Sequence, residues 1–268
     1  MKRAFLPAAA LLLAACVPVP EYMQEPQFPT TLTTGVYRDL DPGYKEESGL
    51  HFKVKAYGSD RAQKTLALAE ENYQRIMNDS ALYSFQPRGL YEIVVYGSAD
   101  EFHKKTQFPE WAAGLTVGNS ICSYEGPQLG PTLAHEMTHL IFHEYMTADR
   151  PELRWINEGF AMYEESHAAG GSPFLWPPGQ IPLPFDQMAA LVPASEREKA
   201  VSMWYRQVSD VVGFAIERGG RIGFGQWLQA LRDRRSMDDA IRTGFPGVWG
   251  SLKDIENAWL VKVSNASR

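Results

Sequence analysis

The chain has 268 residues, 44% of them hydrophobic and 12% aromatic, enough to bury a sizeable core as one large or two-lobed domain; a disordered chain is excluded. Its formal net charge of −6 leaves no basic footprint, so no nucleic-acid partner is expected. Two cysteines occur, Cys16 and Cys122, too few for a disulfide framework to hold the fold.

Residues 1–15 read as a signal peptide: Lys2 and Arg3 are followed by an apolar run, Ala4 to Ala15, too short for a permanent membrane span. The run ends in Leu13-Ala14-Ala15-Cys16, which resembles the bacterial lipobox. That resemblance implies cleavage before Cys16, acylation of its thiol and a stable lipid anchor. Val17 after the cysteine implies, by the same resemblance, an outer membrane, with the protein in the cell envelope facing the periplasm. Residues 16–34, rich in Pro, Gln and Thr, then read as a flexible tether. A single domain over 35–268 follows, with an N-terminal lobe to about 146 and a helical C-terminal lobe beyond it.

Within the domain, the alternating stretch Gly49 to Gly58 predicts a half-buried strand, and Asp60 to Asn78 predicts a helix with Leu66, Ala69, Tyr73, Ile76 and Met77 on one stripe. "LYEIVVYGS" predicts a second strand, Ala99 to Thr106 a short helix, and Gly114 to Tyr124 a third strand closed by the turn signal "EGPQLGP". Cys122, within that third strand, reads as a buried small hydrophobe. A helix opens behind Pro131 and Thr132, and Pro151 opens another that runs from Glu152 to about Ser166. Gly170 to Pro184, with Phe174 and Trp176, reads as a surface flap. Helices are expected over Ala200–Arg218, Phe224–Arg232, Ser236–Thr243 and Leu252–Ser264; the glycines of "ERGGRIGFG" read as a helix cap and turn. The fold class is α+β, with a small mixed N-terminal sheet.

His135-Glu136-Met137-Thr138-His139 is an HExxH sequence. On a helix, residues four apart share a face one turn apart, so His135 and His139 can grip one cation while Glu136 works on water beside it. Two imidazoles leave the shell unfinished, since a catalytic zinc takes three protein ligands. Phe142 and Tyr145 stand where a metzincin needs Gly and His, which excludes that class. His143, a further turn along, is poorly placed as a third donor and reads as a supporting, core or surface residue. Glu158, on the next predicted helix, is a candidate third ligand if that helix folds back beside the first, with Gly159 offering no side chain where the two backbones approach; Glu144, Glu152, Glu164 and Glu165 stay open on spacing alone.

"LAHEMTHL", Pro151 and "WINEGFAMY" together resemble the gluzincin-type zinc metallopeptidases of the peptidase MA-like families, in which an HExxH helix precedes a W-x-x-E-G-x-A helix. Trp155, Glu158, Gly159 and Ala161 match the second pattern. The resemblance implies a zincin-like fold, a Zn2+ cofactor and the ligand triad His135, His139 and Glu158, with Glu136 as general base. It also implies Tyr205 as the oxyanion donor, with Tyr163 and His167 as weaker rivals, and the segment beginning Gly114, Leu115, Thr116, Val117 as the edge strand that pairs with an extended substrate. Met162 stands where thermolysin-like sequences carry an Asp that orients a ligand histidine. The expected activity is that of a membrane-tethered zinc endopeptidase acting on a protein or peptide substrate. The alternative is a non-catalytic zincin-like lipoprotein that binds or assembles an envelope partner; hydrolysis of a cell-wall stem peptide is a third possibility.

Overall fold

The computed structural model describes residues 37–108, 110, 112–148, 150–171, 176–177, 179–191 and 198–266. The expected signal peptide, Cys16 and the tether fall outside them, as does Phe174. Among the described residues no helix is long and apolar enough to cross a membrane.

The fold is α+β: a five-stranded mixed sheet near the N-terminus, then helices. Strands β1 (Lys45–Ser48), β2 (Phe52–Ala56), β3 (Tyr91–Tyr96), β4 (Gly114–Val117) and β5 (Ser120–Tyr124) lie in the order β1-β2-β3-β5-β4. β2, β3 and β5 run parallel, and each edge strand pairs antiparallel with its neighbour. Helix α1 (Ser59–Ser80) connects β2 to β3, and α2 (Ala99–Thr106) follows β3. Phe52, Val54 and Ala56 alternate inward along β2 as its sequence predicts, whereas central β3 is buried on both faces.

Two strand readings change. The segment expected as one strand from Gly114 to Tyr124 is a hairpin, folded at Gly118 (φ +61°) and Asn119, where a two-residue turn favours glycine. β1, "KEES", has no apolar alternation to reveal it; its charged, largely exposed side chains suit an edge.

Helix α3 (Leu129–Met146) starts slightly before the expected position, with Pro131 in its first turn. A 3-10 turn, Pro151–Leu153, leads into α4 (Arg154–Ala168), followed by α5 (Phe185–Ala190), α6 (Glu198–Gly219), α7 (Arg221–Arg232), α8 (Met237–Gly244) and α9 (Leu252–Ala266). The glycine-rich "ERGGRIGFG" is a tight junction in which α6 ends at Gly219 and Gly220 (φ +85°) precedes α7. Trp176 departs from the surface-flap reading: it is buried edge-to-face on Trp259, with its indole donating to the Gln180 carbonyl.

One apolar cluster runs from the α1-facing side of the sheet through α3 and α4 to α9. A smaller one on the opposite face gathers Leu40, Val94, Tyr96, Phe102, Leu115 and Cys122, and burial pushes the Cys122 thiol pKa up as expected of an inert core cysteine. α1 is tied to α4 by Arg75 Nε on the buried Glu164 Oε2 at 2.9 Å. α4 and α6 meet at Gly159, where a Cβ would stand 2.4 Å from the Val208 carbonyl oxygen and 2.6 Å from Val212 Cγ2. Since backbone cannot yield as a side-chain tip can, Gly159→Ala is expected to destabilise the protein by about 1–3 kcal/mol or more, read as a lower denaturant midpoint.

Candidate metal centre

α3 is wrapped on most sides by β4, β5, α1 and α4, so its buried residues are not confined to one stripe. Its apolar residues Leu133, Met137, Leu140 and Ile141 are buried, while His135, Glu136, His139 and His143 form a half-buried strip. α4 packs beside α3 and presents Glu158 to that strip.

His135, His139 and Glu158 each offer a ligand atom, all within 4.8 Å of one another. His139 Nε2 lies 3.1 Å from His135 Nε2 and 3.6 Å from Glu158 Oε2. Two ligand atoms on a shared tetrahedral zinc stand about 3.4 Å apart, so the observed spacings fit such an ion. The remaining ring nitrogens are committed elsewhere. His135 Nδ1 donates to Glu165 Oε2 at 2.9 Å, and His139 Nδ1 to Asn157 Oδ1 at 3.0 Å. These partners assign the Nδ1–H tautomer to each neutral ring and leave both Nε2 lone pairs facing one space. His143 stands behind them: its Nε2 accepts from Asn157 Nδ2 at 3.3 Å, which fixes the amide orientation, and burial with the neighbouring His139 pushes its pKa down to about 3. It is therefore a neutral supporting residue.

Carboxylates surround the centre. Burial pulls the His135 pKa down, but the Glu165 hydrogen bond and the charges of Glu136 and Glu158 outweigh it and push it up to about 9. Without a cation the ring holds a proton at neutral pH, and a cation must displace it. Metal uptake is accordingly expected to release a proton and to tighten about tenfold per pH unit between roughly pH 7 and 9, levelling off above that; a titration of affinity against pH checks it. The sign reverses for the metal-free fold. Stability from the His135 proton is fully present below the ordinary value of 6.5 and is lost as pH rises through about 9.

The carboxylates left open by spacing separate by place. Glu144 accepts from the Tyr91 hydroxyl and the Arg88 main-chain N–H, Glu152 pairs with Arg150 on the surface, and Glu164 holds Arg75. Glu165, two turns beyond Glu158, orients His135. The sequence pointed to Met162 as the vacant position for an orienting acid; Asn157 and Glu165 perform that task from either side of it. Asn157→Ala and Glu165→Gln are each expected to weaken metal affinity about 10- to 100-fold without unfolding the chain, measured by competition with a chromophoric chelator.

The edge-strand residues reach the same place. The Thr116 hydroxyl donates to Glu136 Oε2 at 2.7 Å, and a Cβ on Gly114 would meet Glu136 Cγ at 2.8 Å. Leu115 and Val117 face the smaller cluster instead. Tyr205 is half-buried on α6, its ring against Trp204, one turn before the Val208 that rests on Gly159. Tyr163 and His167 lie about 140° and 180° around α4 from Glu158. Their rings meet at a tilt of 46°, and Tyr163 faces Gly213 of α6, away from the strip. Compared with family models and with curated proteins, the sequence matches none. A His/His/Glu group able to hold a metal ion stands on this geometry alone.

Proposed function

We propose that the chain is a zinc-dependent endopeptidase of the gluzincin type, with His135, His139 and Glu158 as ligands and Glu136 as general base. One observation carries this reading: three ligand atoms converge while both histidine Nδ1 atoms are held by other partners, an arrangement costly to assemble for structure alone. Two imidazoles and one carboxylate are a donor set suited to catalytic zinc, which when bound polarises a carbonyl and acidifies water.

The chain's own residues supply the rest. Glu136, adjacent to the ligands and half-buried, accepts the proton of the attacking water and returns it to the leaving amine. The β4 edge, hydrogen-bonded to β5 on one side only, offers main-chain groups to an extended peptide with little regard to its side chains. Tyr205 is the proposed donor to the developing oxyanion. The sequence has no Gly-x-Met-Glu-Asn anchor for a free amine, which supports internal cleavage. The lipobox resemblance at Cys16 supports a lipid-anchored location in the envelope for this activity. Metal analysis paired with digestion of an unfolded protein, with and without chelator, tests the reading: stoichiometric zinc and chelator-sensitive cleavage are expected, and bound zinc with no cleavage of a broad peptide library would favour the binding-protein alternative.

A further inference from the structure

The two carboxylate oxygens of Glu136 have different neighbours. Oε2 takes the Thr116 hydroxyl at 2.7 Å, whereas Oε1 lies 3.1 Å from the place a Gly114 Cβ would occupy. Both contacts come from one face of β4, two residues apart, and on the other face Leu115 and Val117 pin the strand to the smaller cluster. The Thr116 hydroxyl has one hydrogen to give. The main-chain oxygen of Glu136, at 3.2 Å, is the competing acceptor, but the carboxylate is nearer and charged and takes the stronger bond. Thr116 is only 4% exposed, so water does not compete for that hydrogen.

We infer that Thr116 is a positioning residue for Glu136: its hydroxyl clamps one carboxylate oxygen and leaves the other to carry the proton, so the strand that receives the peptide also aims the base. This rests on reading Glu136 as the general base. A carboxylate free to turn about its last side-chain bonds spends much of its time out of reach of the water, and a misplacement of about 1 Å can cost on the order of 100-fold in rate. Gly114 completes the device, because a side chain there would strike Thr132 Cγ2 at 2.5 Å as well as Glu136. Base and strand thus hold one register.

The test uses the full metal-loaded protein with Thr116→Val, which keeps the shape and loses the hydroxyl, and Thr116→Ser, which keeps the hydroxyl. Digestion of an unfolded protein is expected to show kcat reduced about 10- to 100-fold in the valine variant with KM nearly unchanged, and near-complete rescue in the serine variant. Crystal structures of both variants give a readout independent of turnover: the Glu136 carboxylate should leave its present place in T116V and keep it in T116S. An unmoved carboxylate in T116V, wild-type turnover in T116V, or a serine variant as slow as the valine one overturns the inference. Wild-type protein that cleaves nothing overturns the endopeptidase reading instead, and the crystallographic comparison still decides whether Thr116 holds Glu136.

Discussion

Replacing Glu136 with glutamine is expected to leave metal content unchanged and to reduce cleavage of an unfolded protein by roughly 100- to 10,000-fold, about 3–5 kcal/mol of transition-state stabilisation. Glutamine keeps the length of the side chain and can still meet the Thr116 hydroxyl through its carbonyl oxygen, so the change removes little besides the ability to accept a proton. Metal should stay, because none of the three ligand atoms belongs to residue 136. Paired measurements of zinc stoichiometry and initial rate check both halves. A variant that digests as fast as the wild type would remove Glu136 from the chemistry and with it the main reason to call the centre catalytic.

Glu158→Gln should have the opposite signature. Only 12% exposed and 3.6 Å from His139 Nε2, this side chain supplies the one anionic ligand of the group. A neutral amide in its place leaves two imidazoles, and the loss of affinity should exceed the 10- to 100-fold expected from an orienting partner such as Asn157. Activity disappears with the metal rather than separately from it. A second consequence can be read in the metal-free protein, where the Glu158 charge helps hold the His135 proton; without that charge His135 should titrate below its value of about 9. Dialysis against a weak chelator followed by metal analysis checks the first effect, and a histidine NMR titration the second.

The legible parts of this chain were those where one periodicity governs a long segment. α1 follows an apolar stripe, and His135 and His139 are four apart on a helix, so their pairing needed only helical geometry. Glu158 was within reach of sequence through the W-x-x-E-G-x-A resemblance, but Gly159, expected where α4 approaches α3, lies instead on Val208 of α6. The β4–β5 hairpin was hidden because Gly118 and Asn119 sit inside an otherwise continuous strand pattern, and β1 because an exposed edge carries charges instead of alternation. The orienting residues were missed for a different reason. The thermolysin-like pattern puts the orienting acid one helical turn after Glu158, where Met162 stands, while Glu165 lies two turns on and on the same face, and Asn157 reaches His139 from the preceding position. Thr116 was legible as a strand residue, but the destination of its hydroxyl depends on how the sheet edge lies across α3. No local pattern encodes that.

α4 carries Asn157, Glu158 and Glu165 on a single rod, and at Gly159 that rod lies directly on the backbone of α6. One ligand and both orienting groups therefore travel as one rigid piece, seated on α6 about 100° around the helix from Glu158. A ligand that wedged the two helices apart by an ångström or two would drag a carboxylate and two orienting groups out of alignment together. Separating those two helices would therefore disturb the His/His/Glu group without any contact with its ligand atoms.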